Sequence, residues 1–533
     1  MKPIGKGKYL FILALIVLLA FLLRFYRLGI NPPGLDWDEA SLGWNAYSLL
    51  ATGSDEYGNK LPVSFRSFND YKPPVYIYAA IPGIALEGLN EFSVRFPSAL
   101  AGVLAVIATF FLVRQWLALD NDTGGDKWQA LPFLAAFLLA ISPWSIQFSR
   151  GAFEANLALF LFIAGSVFLF RFVRLPSYFS LFFSIFFFIL SLYCYHSSRL
   201  VVPLFLAGIA FYYRKIFFTH WKISLAGVIM AFILLYPLVR NTLHVGSVGA
   251  RFGEVSIFSG PGPSDPPALA ARYAKNYLDH LDFNFLFLNG DANFRHHAPN
   301  MGMLYLWELP FLLAGSYFLL ARRPKWLFPL AWWFLLAPSA AAVTTETPHA
   351  IRALLYLPTY QIITGYGLIK TINLAKNFRL KVKSSVLSPT VWPRLSRGFA
   401  ISSVCLMLLL NSFYYLHMYF VHLPVEYAPA WLYGYREVVK DVLATENNYD
   451  RIYVTSAYDQ PYIYFLFYGR VSPVVKNNGY FYAGFDKYQF SLDRRDPGGL
   501  YILSPKDNAS GLTVFKTINF PDGSPAFNFA RME

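Results

Sequence analysis

Residues 1–25 read MKPIGKGKYLFILALIVLLAFLLRF, and this opening stretch sets the class of the protein. Three lysines precede an apolar core of about 15 residues, and no small-residue cleavage site follows it. The pattern predicts a retained signal-anchor helix. The remainder has the same apolar character, because 56% of all residues are hydrophobic, 14% are charged and the mean hydropathy is +0.40. The sequence therefore predicts a mainly α-helical protein that crosses a membrane many times.

Apolar runs of about 16 to 22 residues, long enough to cross a hydrocarbon core, recur through most of the chain. We predict about eleven transmembrane helices from these runs. They lie near residues 9–28, 92–113, 129–148, 155–173, 178–196, 199–213, 223–239, 302–320, 326–343, 351–369 and 399–420.

The basic residues predict the orientation of these helices. Lys and Arg cluster in short gaps between apolar runs, which is typical of loops on the cytoplasmic side. The N-terminus is therefore predicted inside, and the odd number of spans places the C-terminus outside. Two long loops, residues 30–90 and 241–300, then also lie outside. Inner loops account for the net charge of +14, so no nucleic-acid partner is predicted.

The last fifth of the chain is not membrane-like. WLYGYREVVKDVLAT (431–445) has helical periodicity, whereas RIYVTS (451–456) and TVFKTINF (513–520) are rich in strand-forming residues. We therefore predict a transmembrane unit over residues 1–424 and a small extracytoplasmic α/β domain over residues 425–533.

The first outer loop begins with an unusual run of acids in GLDWDEASLGWNAY (34–47). Asp36, Asp38 and Glu39 stand at the start of a predicted amphipathic helix at the membrane interface. Asp38 as a helix cap and Glu39 as a partner of the helix dipole are an equally strong interpretation. Capping does not require Asp36, however, so catalysis at the bilayer surface is the alternative that we carry forward.

A lysine in the same loop precedes two prolines in NDYKPPVY (69–76). The prolines fix the chain direction, so Lys72 is held rigidly near the next apolar segment. A cation there suits a lipid phosphate, and Asp70 could position a substrate hydroxyl. Ordinary snorkelling of Lys72 to the interface is the competing interpretation.

Several arginines lie at the predicted outer boundary, against the usual bias of positive charge to the inside. Arg150, Arg199 and Arg352 are candidate phosphate ligands because guanidinium groups bind phosphate with two parallel hydrogen bonds. Each alone is more typical of an interfacial anchor. His196 and His349 lie beside two of them without metal-ligand spacing, which favours hydrogen bonding. Asp36 and Asp38 suit Mg²⁺ or Mn²⁺ but are too few for a full site, so we predict no obligatory metal or other cofactor.

Taken together, DWDEA, YKPPVY, SPWSIQFSRGAFEAN, YHSSRLVVP and TPHAIRALLYLP resemble bacterial GT-C membrane glycosyltransferases. Specifically, the chain is similar to the glycosyltransferase family 39-like branch of protein O-mannosyltransferases and lipid A aminoarabinose transferases. The resemblance covers about residues 5–420. Two positions depart from the aminoarabinose transferases, which usually carry Glu before the lysine and Arg three residues after the catalytic Asp. Here Tyr71 and Ser41 stand at those positions.

The resemblance implies a polyprenyl-phosphate sugar donor and an active site on the non-cytoplasmic face of the bacterial plasma membrane. It implies that Asp38 is the catalytic carboxylate and that Lys72 lies near the donor phosphate. We expect an inverting transfer to a hydroxyl of a protein, lipid or glycan, with Asp38 as general base and the three arginines at the phosphate. Supporting or substrate-positioning roles are predicted for Asp36, Glu39, Asp70, His196 and His349.

Two functions from other classes compete with this prediction. A transporter or flippase of lipid-linked sugars would use the same outer cations without a general base. It would more naturally carry charges at mid-membrane in paired half-helices, and no such pair is evident. A membrane scaffold that presents the C-terminal domain leaves Asp36, Asp38 and Lys72 unexplained.

Overall fold

The computed structural model describes residues 6–68, 70–120, 129–245, 255–259, 265–375, 392–473, 481 and 483–532. Lys2 and residues 376–391 of the basic inner loop, both used to predict orientation, lie outside this range. The described chain is mainly helical. Its helices are α1 Lys6–Phe25, α2 Trp37–Thr52, α3 Val75–Glu87, α4 Glu91–Leu117, α5 Leu131–Ile141, α6 Pro143–Arg150, α7 Glu154–Arg174, α8 Tyr178–Leu192, α9 Ser198–Tyr212, α10 Arg214–Thr219, α11 Trp221–Val245, α12 Pro266–Asp279, α13 Leu309–Arg322, α14 Leu327–Leu336, α15 Ser339–Ala342, α16 Thr359–Ala375, α17 Trp392–His417, α18 Leu423–Glu426, α19 Tyr435–Thr445 and α20 Pro461–Tyr468.

Every predicted apolar run contains a helix, but the helices differ in length. Five of the described helices are long and apolar enough to cross a membrane: Gly7–Phe25, Glu91–Leu117, Glu154–Arg174, Trp221–Leu243 and Ile401–Glu426. A sixth candidate is the pair α5 and α6, which is bent by 55°. Shorter apolar helices make up much of the rest, including α8 and α9. The mainly helical, multi-pass prediction is confirmed, whereas the number eleven remains a prediction.

The bend between α5 and α6 has a local cause. Ser142 caps the N-terminus of α6, its side chain accepting the backbone N–H of Ser145, and Pro143 occupies the first turn. A proline there starts a new helix but cannot continue the previous one. Because of this bend, α6 ends at Arg150 beside the first outer loop, and the short turn Gly151–Phe153 leads directly into α7.

The first outer loop contains α2, a two-stranded hairpin and α3. The hairpin strands are β1 Phe65–Ser67 and β2 Asp70–Lys72, paired antiparallel with Phe65 opposite Lys72. Pro73 and Pro74 follow, and α3 begins at Val75. The predicted amphipathic helix corresponds to α2, but it is buried on nearly every face rather than on one. Helix and hairpin therefore hold the acids and Lys72 in fixed positions.

The C-terminal region contains a six-stranded mixed sheet flanked by α19 and α20, in agreement with the predicted α/β character. The strands are β3 Arg451–Val454, β4 Gly484–Phe485, β5 Tyr488–Gln489, β6 Gly499–Leu503, β7 Leu512–Asn519 and β8 Pro525–Met532. Their order is β4-β5-β3-β6-β8-β7, and only the β3 pairings with β5 and β6 are parallel.

This C-terminal region shares a hydrophobic core with the first outer loop. Trp44 of α2 and Tyr76 of α3 belong to the same buried cluster as Val438 of α19 and Tyr464 of α20. The transmembrane helices form a larger, separate cluster. The C-terminal region therefore buttresses the loop that carries the acids, and the boundary at residue 424 stays a prediction.

Candidate active site

A polar cavity of about 550 Å³ lies where the segments that we predict to lie outside the membrane meet. It is enclosed by the start of α2, the hairpin, the α6–α7 turn and two later outer loops. The charged and titratable residues that line it are Asp36, Asp38, Glu39, Asp70, Lys72, Glu154, Tyr195, His196, Arg295, His296, Glu346, His349 and Arg352. Eight of the ten residues predicted from the sequence therefore border one cavity.

The central contact is an ion pair between Lys72 and Asp38. Lys72 Nζ lies 2.6 Å from Asp38 Oδ1, and the lysine side chain is 8% exposed whereas the aspartate is 44% exposed. Burial by itself lowers the pKa of the Lys72 ammonium, but the Asp38 carboxylate outweighs it and the net pKa is raised. Lys72 is therefore a permanent cation, and Asp38 presents its open side to the cavity.

Asp36 makes a different ion pair. Its Oδ2 contacts Nη1 of Arg295, whose guanidinium lies 5.0 Å from the ring centroid of Trp37. Burial raises the pKa of the Asp36 carboxyl, Arg295 opposes that shift, and Asp38 and Glu39 add to it. Arg295 was not predicted from the sequence, because it lies in the 241–300 loop and belongs to no recognisable motif. Asp36 holds this arginine against the cavity.

Glu39 is held by a third cation. Its carboxylate accepts from Arg95 Nε at 2.9 Å and Nη2 at 3.0 Å, and also from the backbone N–H of Ala152 at 2.7 Å. Its Oε2 reaches back to the N–H of Asp36, 3.2 Å away. Glu39 therefore closes the start of α2 onto Asp36 and joins α2 to α4 and the α6–α7 turn. The N-cap residue of α2 is Asp36, so the interpretation of Asp38 as the cap is wrong, because α2 begins at Trp37 and Asp38 already lies in its first turn.

Arg150 does not face the cavity, although it was predicted to bind phosphate. Its five N–H groups are all used: Nε donates to Tyr419, and the two terminal nitrogens donate to four backbone oxygens of Leu23, Arg24, Tyr26 and Asn31. A guanidinium so completely satisfied has no donor left for a ligand. Arg150 therefore stabilises the turn after α1, and we no longer count it among the residues that would bind the donor phosphate.

Arg199 is likewise not among the described residues that line the cavity. It lies in the first turn of α9 and its Nε donates to the carbonyl of Leu192 at 3.3 Å. Arg352, the third predicted arginine, does line the cavity. Its Nη1 donates to Thr344 at 2.9 Å, and its Nη2 lies 3.5 Å from Glu346 Oε2.

Several smaller contacts complete the rim. Asp70 accepts the backbone N–H of Tyr71 at 2.7 Å, and His196 Nε2 lies 3.3 Å from the carbonyl of Tyr71. Burial, reinforced by Arg199, lowers the pKa of His196 to about 3, so the imidazole is neutral. Glu154 lines the cavity at the start of α7 and was also missed. An acid at the boundary of an apolar run was the available signal for it.

Three side chains with metal-binding groups converge nearby: the ligand atoms of Asp291, His296 and His349 lie within 4.8 Å of one another. Asp291 Oδ2 is only 2.7 Å from His296 Nδ1 and also accepts the N–H of Ala350 at 2.7 Å. Such contacts fit a hydrogen-bonded carboxylate–imidazole pair, not two ligands of one ion. The prediction of no obligatory metal stays a prediction.

A second, larger cavity of about 1130 Å³ adjoins the first on its outer side. Five residues line both: Trp37, Asn293, Arg295, Glu346 and His349. The outer cavity is rich in polar side chains, including Asp279, Asn284 and Asn289.

Comparisons with known proteins agree on the fold. No family profile and no curated protein sequence matches the chain. Among solved structures, ArnT from Cupriavidus metallidurans bound to undecaprenyl phosphate is similar with a TM-score of 0.56 at 13% identity, and 98% of each chain is covered. The apo state of the same protein gives a TM-score of 0.55 at 12% identity, again over 98% of each chain.

An archaeal oligosaccharyltransferase is similar as well. AglB from Archaeoglobus fulgidus, in complex with an inhibitory peptide and a dolichol-phosphate, gives a TM-score of 0.50 at 14% identity. The similarity covers 88% of this chain but only 64% of AglB, so the chain spans under two thirds of that protein. ArnT and AglB are both membrane glycosyltransferases of the GT-C type. The chain therefore has the GT-C fold that these two enzymes share.

Proposed function

We propose that the protein is an integral-membrane glycosyltransferase that moves a sugar from a polyprenyl-phosphate donor to an acceptor hydroxyl. The observation that carries this proposal is the ion pair of Lys72 and Asp38, 2.6 Å apart, in a cavity beside the Asp36–Arg295 pair. The similar ArnT structure holds undecaprenyl phosphate and the AglB structure a dolichol-phosphate, which supports a lipid-phosphate donor. The acceptor belongs to a protein, a lipid or a glycan.

Three cations suit the donor phosphate. Lys72, Arg295 and Arg352 all line the cavity, and each is paired with a carboxylate rather than with another cation. As the sugar leaves, negative charge grows on the phosphate oxygens. Fixed cations in a site with little water stabilise that charge strongly because they need no reorganisation during the reaction. Lys72, locked by the hairpin and two prolines, is the best-placed member of the set.

Asp38 is the proposed general base. Of the three clustered acids it alone has a substantially exposed side chain, at 44%. The acceptor oxygen attacks the anomeric carbon, the bond from that carbon to the phosphate oxygen breaks, and its electron pair leaves with the phosphate. The hydroxyl proton passes to Asp38. A single displacement of this kind inverts the anomeric configuration.

The other predicted residues support this step. Asp36 orients Arg295, Glu39 fixes the start of α2, and Asp70 and His196 brace the strand that carries Lys72. His349 borders both cavities, where an acceptor would enter. The arrangement uses the side chains of this chain alone, so no metal is assigned a step.

We place the transfer on the non-cytoplasmic face of a bacterial plasma membrane. The basic residues Lys6 and Lys8 precede the first span and argue for a cytoplasmic N-terminus. The acids, Lys72 and the C-terminal sheet all lie at the end of α1 that is opposite to those lysines along the chain. The C-terminal region then extends outside, with membrane lipids around the apolar helices.

Reconstitution in vesicles that contain polyprenyl-phosphate sugars tests this function. Asp38→Asn is expected to lower kcat by about 10²- to 10⁴-fold, because the base is lost while the shape is kept. Asp522→Asn, on the exposed turn between β7 and β8, is the matched control and should transfer at the wild-type rate.

Two results would contradict the proposal. Full transfer by correctly folded Asp38→Asn would remove Asp38 as the base. If wild type and Asp38→Asn both move the lipid-linked sugar across the bilayer and neither transfers it, the protein is a transporter or flippase instead.

A further inference from the structure

A carboxylate–imidazole pair connects the two cavities. His296 lines the inner cavity with Asp38 and Lys72, whereas Asp291 lines only the outer cavity. Asp291 Oδ2 and His296 Nδ1 are 2.7 Å apart, and both side chains are buried. The pair therefore spans the boundary between the enclosed site and the open outer space. The function proposed above assigns no step to it.

Asp291 is anchored as an anion. Its Oδ2 accepts the N–H of Ala350 at 2.7 Å, and its Oδ1 accepts the N–H of Asn293 at 3.0 Å. Burial by itself raises the pKa of Asp291, but His296 and the Ala350 N–H outweigh it and hold the pKa at about 2. An ionised Asp291 can only accept, so Nδ1 of His296 carries the hydrogen. Nε2 is then the ring nitrogen left to exchange a proton with the cavity.

The ring of His296 is held in place on its faces. Its centroid lies 5.3 Å from Phe148 and 5.0 Å from His349. Burial, helped by His296 and Arg352, lowers the pKa of His349 far enough to keep that ring neutral. Asp291 occupies the Nδ1 side of the ring, so Nε2 is the nitrogen left for the inner cavity that His296 lines. A fixed imidazole with a carboxylate on one ring nitrogen and the other nitrogen toward the substrate is the arrangement used for proton transfer in many enzymes.

We propose that the Asp291–His296 pair is a proton carrier for the transferase site. His296 Nε2 receives, through a hydroxyl or water in the inner cavity, the proton that Asp38 takes from the acceptor. This inference rests on the proposed function, because it concerns the proton that glycosyl transfer releases.

The step balances without a further reactant. The Asp38 O–H bond breaks and an N–H bond forms at Nε2, which returns Asp38 to its carboxylate and makes His296 an imidazolium. Asp291 stabilises that cation through the 2.7 Å contact. When product leaves, water reaches the cavity and takes the proton from Nε2, which restores the neutral ring.

The surrounding charges allow this cycle. The other charged or titratable groups that face the inner cavity are Asp36, Asp38, Glu39, Asp70, Lys72, Glu154, Tyr195, His196, Arg295, Glu346, His349 and Arg352. Asp36, Asp38 and Glu39 are each already paired with a cation. Asp291 is the carboxylate in direct contact with His296, so protonation of the ring creates a new ion pair and leaves the others intact.

His296→Asn is the decisive variant because the asparagine amide can still donate to Asp291 while no acceptor remains at the Nε2 position. We expect kcat to fall about 10- to 100-fold with the donor KM unchanged, since proton release rather than binding is impaired. Added imidazole should restore much of the rate, which a merely structural role would not allow. Asp38→Asn should not respond to imidazole, and His220→Asn, between α10 and α11, is the control with wild-type activity.

Diethyl pyrocarbonate gives a readout that does not depend on transfer. If Nε2 faces the cavity, diethyl pyrocarbonate should carbethoxylate His296 in the intact folded protein. Mass spectrometry then identifies the modified residue. An unmodified His296 would overturn the inference, as would a loss in His296→Asn that imidazole leaves unchanged. Stoichiometric Zn²⁺ that is retained by wild type and lost from both His296→Asn and His349→Asn would also overturn it, in favour of a metal site. If His296 is carbethoxylated but the unmodified wild type does not transfer sugar, the result counts against the proposed function and not against the accessibility of Nε2.

Discussion

At the scale of the residue, three neighbouring carboxylates have three different cationic partners. Asp36 pairs with Arg295, Asp38 with Lys72 and Glu39 with Arg95, so the partners come from separate parts of the chain. Their side-chain exposures are 6%, 44% and 3%, respectively. A buried carboxylate in an ion pair is a structural or orienting group, whereas an exposed one can meet a substrate. Burial therefore gives a physical difference between the three acids, whereas in the sequence only the family resemblance singled out Asp38.

Glu56 gives a residue-scale prediction about pH. This side chain is 5% exposed in the first outer loop, and burial raises its pKa from 4.5 to about 8. The folded protein then binds a proton that the unfolded chain has lost. The stabilisation that this proton provides is complete below pH 4.5 and disappears as pH rises through about 8. Thermal unfolding in detergent should show a Tm that falls over this range.

Glu56→Gln should flatten that dependence. The amide cannot ionise, so the variant should lose less Tm between pH 5 and pH 8.5 and be the more stable protein at the higher pH. Glu87→Gln, at the exposed end of α3, is the control and should follow wild type. An identical pH profile for wild type and Glu56→Gln would show that Glu56 is ionised in the folded state.

At the scale of the element, two helices cross at a pair of glycines. A Cβ on Gly367 of α16 would lie 1.9 Å from the carbonyl oxygen of Phe311 in α13. A Cβ on Gly315 of α13 would lie 2.1 Å from the carbonyl oxygen of Ile363 in α16. The backbones therefore touch, which is the close approach that small residues permit in membrane helices. Such a contact cannot be read from hydropathy, which treats both segments only as apolar runs.

Gly367→Ala should separate these helices. Backbone atoms cannot move aside cheaply, so we expect a loss of about 1–3 kcal/mol in stability and a lower Tm in detergent. Gly398→Ala in α17 is the matched control, because nothing lies within 4 Å of its Cβ position and alanine is the better helix former. Equal Tm values for Gly367→Ala and wild type would show that the crossing is looser than described.

At the scale of the whole molecule, the C-terminal region supports the loop that carries Asp38. Phe467 of α20 is 1% exposed, and its Cε2 lies 2.7 Å from the Cβ position of Gly43 in α2. Helix α2, which starts next to Asp36, therefore packs between α4 of the membrane unit and α20 of the C-terminal region. Sequence periodicity predicted an α/β region but not this shared core, since contacts between segments 400 residues apart leave no local pattern.

Phe467→Ala should impair both stability and transfer. Removing a buried ring costs about 3–5 kcal/mol. It also loosens α2, and a small displacement of Asp38 reduces the rate because catalysis depends on orientation. Phe515→Ala on β7, where the side chain is 49% exposed, is the control for both assays. Wild-type transfer by a destabilised Phe467→Ala protein would show that the C-terminal region does not position the site.

By itself the sequence determined the class of the protein, the places of its apolar helices, the α/β character of its end and most of the charged and titratable residues around the cavity. These follow from local physics: apolar length, periodicity, prolines and the exclusion of charge from lipid. The resemblance singled out Asp38, but only the tertiary structure gave the three acids their different partners and exposures, placed Arg295, Glu154 and His296 at the cavity and placed Arg150 away from it. Those distinctions depend on which cation or carbonyl meets each side chain, and such meetings are made by folding between distant segments.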